Sequence, residues 1–243
     1  MAIKLADDHN NQALSSYIRW LDITRPGSKH NFKYLVDFFE NHKNWPKKEV
    51  LIEKIESSIN KDIPTDLLFN WFEKNPPQTS KGSIDQLEVL IKNNSSFDKR
   101  KLISKIWIEK NLTSSQQTYF IKKYSRYWTQ DDNWKRFNRL MIEGKTFSAR
   151  KTLNRIKGDK RKLGEARLGL SRRSPNVSEL IRNVPMHLKN DSDLIYERMR
   201  WRRKAKLDTA SDLLINPPTQ ISNVRGWWIN CLLYTSPSPR DLS

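Results

Sequence analysis

The sequence predicts an all-α fold, an α-solenoid or superhelix of stacked antiparallel helix hairpins. Three observations carry that expectation. Stretch after stretch places apolar residues at i, i+3, i+4 and i+7, the period of a half-buried helix, and none alternates long enough for a sheet. Pro, Asn, Ser and Gly gather at intervals between these stretches, as helix breaks do, and the chain has only 7 glycines. Successive helix pairs span roughly 30 to 40 residues, the rhythm of stacked helical repeats, in which each pair covers its neighbour's apolar face. A helical bundle is the alternative architecture.

Each element follows from its own pattern. Residues 6–23 present Leu14, Tyr17, Ile18 and Leu21 as a stripe and end at Arg25-Pro26-Gly27-Ser28. Residues 32–42 group Leu35, Phe38 and Phe39, and Trp45-Pro46 turns the chain. Residues 47–59 carry Val50, Leu51, Ile55 and Ile59. Residues 64–74 open on a proline, which the first turn of a helix tolerates. They carry Leu67, Leu68, Trp71 and Phe72 and stop at Asn75-Pro76-Pro77. Residues 83–91 hold Leu87, Leu90 and Ile91, and residues 97–109 hold Leu102, Ile103, Ile106 and Trp107. Residues 114–127 follow a Thr113 or Ser114 cap and show Phe120, Ile121 and Tyr124. Residues 131–143 hold Trp134, Phe137, Leu140 and Met141 and close on Gly144, a helix-ending glycine. Residues 147–156, 163–172 and 177–184 complete the run before a final hairpin over 194–218. In its first arm Ile195, Met199 and Arg202 share a stripe, with Leu194, Arg198 and Trp201 beside it. Its second arm carries Leu207, Ala210, Leu213 and Leu214, and Asn216-Pro217-Pro218 ends it.

Composition narrows the function classes. Nine tryptophans and 10% aromatics argue for a folded chain despite 30% charged residues and a mean hydropathy of −0.80. The formal net charge is +18. Residues 145–206 hold 19 Lys and Arg against 6 Asp and Glu, a net +13. A field so concentrated favours polyanions or anionic surfaces as partners. One cysteine, Cys231, excludes an internal disulfide framework and a Cys-based zinc site. No apolar run approaches the roughly 18 residues of a membrane span. The opening MAIKLADDHNN lacks the apolar core of a secretory signal, so the expectation is a cytoplasmic protein or a chain whose true start is missing.

No constellation for catalysis, metal or cofactor emerges. His9, His30, His42 and His187 lie far apart, without metal-ligand neighbours at i+3 or i+4. Phosphate-cradling glycine loops and the G-x-S-x-G elbow are absent. Glu56-Ser57 invites comparison with glycan-cleaving sites, which need a carboxyl held in a cleft. Its helical setting beside Glu49 and Glu53 instead reads as a solvated face. The strongest interaction candidate is the basic end of the first arm, with Arg198, Arg202, Arg203 and Lys204 as substrate-binding residues. Arginine pairs bidentately with carboxylate or phosphate. Trp201 among them is read as core, with arginine stems lying over it.

Further along, the residues resemble a known family. ERMRWRRKAKLDTASDLLINPP (197–218), followed by Trp227-Trp228, is similar to the helical-repeat region of soluble lytic murein transglycosylases of the alphaproteobacterial type. FFENHKNWP (38–46), NWFEKNPPQ (70–78) and WKRFNRLMIEGKTFSAR (134–150) match further family motifs in the same order. The resemblance covers residues 6 to 230. It implies a periplasmic superhelix, incomplete here over 1–230, in front of a lysozyme-like domain that cleaves MurNAc–GlcNAc bonds to 1,6-anhydro products. The Glu-Ser mark of that catalytic domain has no counterpart, so this stretch is expected to be no enzyme and to guide peptidoglycan for the missing domain. Residues 231–243, CLLYTSPSPRDLS, show no helical period and resemble adapter read-through, an artefactual or disordered tail. The second functional reading is a basic helical-repeat scaffold for nucleic acid or protein, whose nucleic-acid binding would weaken steeply with salt.

Overall fold

A computed structural model describes residues 11–210, 212–215, 218 and 220–235. These form fourteen α-helices and three short 3₁₀ turns, with no strand among the described residues. The helices are α1 (Gln12–Thr24), α2 (Phe32–Asn41), α3 (Lys48–Ser58), α4 (Thr65–Lys74), α5 (Ser80–Lys92), α6 (Lys99–Glu109) and α7 (Ser114–Tyr124). They continue as α8 (Gln130–Ile142), α9 (Thr146–Leu153), α10 (Gly158–Arg172), α11 (Val177–Arg182), α12 (Ser192–Lys204), α13 (Asp212–Ile215) and α14 (Val224–Thr235). The chain groups into two compact units. One runs to Ile106 and includes Lys110–Tyr127; the other joins Trp107–Glu109 to the chain from Trp128 onward.

In the first unit, α1 to α5 share one core. Phe32, Leu35, Phe38 and Phe39 of α2 meet Leu51, Ile52 and Ile55 of α3, Leu68, Trp71 and Phe72 of α4, and Ile23 of α1. Burying each such side chain contributes about 1.5–3 kcal/mol. The main partners of a helix are the next one or the next but one: α2 with α3, α4 with α5, α1 with α3, and α3 with α5. Helix starts are secured locally, by Asn11 on α1, Asn31 on α2, Thr79 on α5 and Asp98 on α6. Thr113 and Gln116 form a full capping box on α7.

The second unit repeats that neighbour pattern. α8 packs on α9, α9 on α10, and α10 on both α11 and α12. Phe137, Leu140 and Met141 of α8 meet Ala149 and Leu153 of α9, while Leu163, Ala166 and Leu170 of α10 meet Val177 and Leu194. The last turn of α6 belongs here. Trp107 stacks on Trp128 at 4.4 Å between ring centroids, and its indole N–H donates to Asn133 Oδ1 at 3.0 Å. Arg136 lays its guanidinium 4.3 Å over the Trp107 ring and donates to the Trp107 carbonyl, while Arg139 donates to that of Ile108 at 2.5 Å. The carbonyls that a helix end leaves without intrahelical partners are thus satisfied by side chains of α8.

Several expectations are corrected. Most of the stripe of the first helix faces outward: Leu14, Tyr17 and Leu21 are 45, 49 and 45% exposed, Ile18 is half-buried, and Ile23 is buried instead. Trp20 decides this rotation, packing edge-on against Trp45 and donating its indole N–H to the Pro46 carbonyl at 3.1 Å. The start of that expected helix, residues 6–10, lies outside the described residues. Leu67 is exposed as well. The second arm of the final hairpin is not a helix antiparallel to α12. It is a 3₁₀ turn, Asp208–Ala210, followed by the four-residue α13. Lys206 stands in the left-handed region at φ 55° and turns the chain back, with the Leu207 N–H on the Arg202 carbonyl. At the other end, α14 continues to Thr235 through part of the stretch read as aperiodic. Asn223 accepts from the Gly226 N–H and nucleates it, and extending a nucleated helix costs little. Residues 236–243 lie outside the described residues.

Glu56 carries the largest correction. It is fully buried, not solvated, whereas Glu49, Glu53 and Ser57 are exposed. Its carboxylate accepts from the backbone N–H groups of Gln78 (2.7 Å) and Thr79 (2.8 Å) and from the Thr79 hydroxyl, directly before α5 begins. A helix start presents unpaired donors and a positive dipole end, and a carboxylate from α3 meets both. Gly82 makes room: a Cβ there would run into the Glu56 side chain.

Candidate functional site

The basic end of α12 starts from an ordinary helix. Asp191 caps it, its Oδ1 accepting from the N–H groups of Asp193 (3.1 Å) and Leu194 (3.0 Å). Leu194 is then buried in the core with α10 and α11, while Tyr196 and Met199 are buried on another side against Trp227. Of the four predicted binding residues, Arg198 and Arg202 come together one turn apart. Burial and the neighbouring Arg202 charge both hold the Arg198 guanidinium below its usual pKa. Arg202 is partly committed to the fold, donating to the Thr209 carbonyl at 3.0 Å. Arg203 is half-buried, and Lys204 is exposed at the helix end. Trp201 packs against the core of α10 and α12, the place the sequence reading assigned it.

Beneath this surface lies a buried ionic network that sequence reasoning missed. Arg167 of α10 is 2% exposed. It pairs with Asp193 at 3.0 Å and donates to Asn138 Oδ1 at 2.6 Å, its guanidinium 5.5 Å from the Trp134 and Phe137 rings. Ser222 donates to the other oxygen of Asp193. Glu197 is also buried and takes Arg200 at 3.1 Å. Burial pushes the Glu197 carboxyl above its ordinary range, against the pull of Arg200 and Arg167. A sequence signal existed: Arg167 occupies the apolar stripe Leu163, Ala166, Leu170 of α10, a position a charge holds only when paired. Each acid faces a cation, so the arrangement ties α10 to α12 and the chain near Ser222.

An open cavity of about 510 Å³ borders the outer face of α10. Arg150 of α9, Arg161 and Arg172 of α10, and Arg173 at its C-cap line it, with Glu165 as the one carboxylate among the lining residues. Leu153, Leu168 and Leu180 supply apolar surface. All four arginines are exposed. Glu165 accepts from Arg161 at 2.9 Å. In the first unit a second cavity, about 540 Å³, lies against Phe32, Val36, Leu67 and Trp71, with Lys33, Lys74, Asp37 and Glu40 balancing in charge.

Among the described residues, no group of three or more His, Cys, Asp or Glu is placed to hold a metal ion, and no helix is long and apolar enough to cross a membrane. No protein-family model matches the chain, and no curated protein or solved structure is significantly similar to it.

Proposed function

We propose that the chain is a binding module for an anionic polymer: an α-superhelix of stacked helix pairs that guides peptidoglycan in the periplasm. In this reading it serves a lysozyme-like domain of a lytic transglycosylase-like protein and is no enzyme by itself. The stacking of each helix on its near neighbours in sequence, within each unit, supports the repeat architecture. The observation that carries the function is the net +13 over residues 145–206, much of it presented as exposed arginine along α10, with Lys204 exposed and Arg198, Arg202 and Arg203 half-buried at the end of α12. The peptides of peptidoglycan bear carboxylates, which arginine meets with paired N–H groups. The motif resemblance at 38–46, 70–78, 134–150 and 197–218 selects peptidoglycan among polyanions.

Cosedimentation with purified murein sacculi tests this. The protein is expected in the pellet at about 50 mM salt and in the supernatant at about 500 mM, because exposed charges are screened beyond a few ångströms there. Failure to pellet at low salt overturns the binding. Release of anhydro-muropeptides overturns the non-enzymatic half. Displacement from sacculi by a small excess of DNA or RNA, with a steep salt slope, would favour a nucleic-acid scaffold instead.

A further inference from the structure

We propose that the cavity along α10 is a binding site for an extended acidic peptide. This deepens the polyanion reading by naming a place and a ligand class, and rests on it only for the sign of the partner's charge. The volume, about 510 Å³, lies in the range of ligand pockets. Arg161, Glu165, Leu168 and Arg172 recur at spacings of four, three and four residues and so share one face of α10. At about 1.5 Å per residue, Arg161 and Arg172 are roughly 16 Å apart along the axis. A monophosphate meets both only where the two arginine side chains fold toward each other. Acids at positions i and i+4 of an extended peptide, four steps of roughly 3.3 Å and so about 13 Å apart, match both ends once side-chain reach is added.

The charges are arranged for a ligand rather than for the fold. Among the described residues no carboxylate pairs with Arg150, Arg172 or Arg173; Glu165 serves Arg161 alone of the four. The dipole of α10 favours cations at its C-terminus, which accounts in part for Arg172 and Arg173. Yet the end of that helix is closed by its own backbone, with Ser174 N–H on the Gly169 carbonyl at 2.9 Å and Arg173 N–H on that of Leu170 at 3.2 Å. Arg173 takes the left-handed conformation, φ 56°, there. Arg150 comes from a different helix and Arg161 from the opposite end of α10, where the dipole disfavours a cation. Leu180, half-buried, offers surface to alkyl side chains, with the buried Leu153 and Leu168 behind it, and an inorganic polyphosphate lacks such groups. Glu165 stands between the two ends and sets a register: acids opposite Arg161 and Arg172, a neutral or basic residue between them.

Calorimetry with two peptides of one composition tests the site. Acetyl-Glu-Ala-Lys-Ala-Glu-amide is expected to bind at least tenfold more tightly than acetyl-Ala-Glu-Lys-Glu-Ala-amide. R172Q/R173Q is expected to lose at least tenfold in affinity, while K105Q/K122Q, which removes the same charge from exposed positions in the first unit, changes it less than twofold. Absence of binding by either peptide, equal affinity for the two, or equal losses in both variants overturns the proposal. Tripolyphosphate binding as tightly as the first peptide overturns the peptide assignment. If the peptide binds but sacculi do not, the cavity stands and the cell-wall reading falls; if sacculi bind and the peptide does not, the reverse holds.

Discussion

The carboxylate of Glu56 sits where α5 begins, and its value depends on what its removal would strand. An E56A variant leaves the N–H groups of Gln78 and Thr79 without their acceptor, which costs about 1–3 kcal/mol for each group that water cannot reach. A loss of about 2–4 kcal/mol in urea denaturation is expected, and a change under about 0.5 kcal/mol would disprove the capping role. G82A is expected to destabilise in the same assay by about 1–3 kcal/mol, because the new methyl competes with the Glu56 side chain for space. Glu197 makes a pH prediction. Burial holds its carboxyl above the ordinary 4.5, so between 4.5 and the native value the folded state binds more proton than the unfolded chain. Its contribution to stability therefore falls as pH rises from 4.5 through the native value. E197Q is expected to flatten that decline in urea midpoints measured across the window; an unchanged slope would assign it to other groups. None of this was legible in single residues. Glu56 and Glu197 each occupy helical sequence that polar residues fill without consequence elsewhere, and only the neighbour brought up by the fold gives them work.

At the scale of elements, helices were the most legible feature, because apolar period and capping chemistry are both local. Gly144 ends α8 at φ 71°, and Thr113 caps α7, each where the residue type pointed. Thr129 and Asp132 make a second capping box on α8, and T129A is expected to cost about 1 kcal/mol in urea denaturation. Helix rotation was less legible. In α1 two apolar sets compete, Leu14–Tyr17–Leu21 and Trp20–Ile23, and periodicity fits both. The indole N–H of Trp20 found an acceptor 26 residues away, which no local pattern contains. Contacts between helices also carry charge. Glu88 of α5 accepts from Tyr119 (2.6 Å), Tyr124 (2.5 Å) and Lys123 (2.6 Å) of α7. Burial raises its pKa, but these three donors outweigh that and hold the carboxyl below its ordinary value. The stability it lends is present at neutral pH and is lost as pH falls through the native value. E88Q should thus lower the urea midpoint at pH 7 and leave it unchanged near about pH 3. A deficit persisting in acid would mean that packing, not charge, joins α5 to α7.

For the whole molecule the governing quantity is the net charge of +18. Like charges repel most when salt is dilute, so Tm is expected to rise between about 20 and 200 mM sodium chloride, measured by circular dichroism. A fall would mean that attractive pairs such as Arg167–Asp193 outweigh the repulsion. By itself the sequence determined the all-α class, the order and number of most helices, the breaks between them and the concentration of positive charge. Those are properties of short windows and of sums, and short windows and sums are complete in a linear chain. Tertiary structure alone decided which stripe of α1 turns inward, that Glu56 closes the start of α5, and that Arg167 finds Asp193. It also decided that arginines from α9 and both ends of α10 border one cavity. Each of these pairs groups more than twenty residues apart, or a helix face with a partner, and the free energy of such pairing comes from desolvation in a place that exists only after the helices have packed.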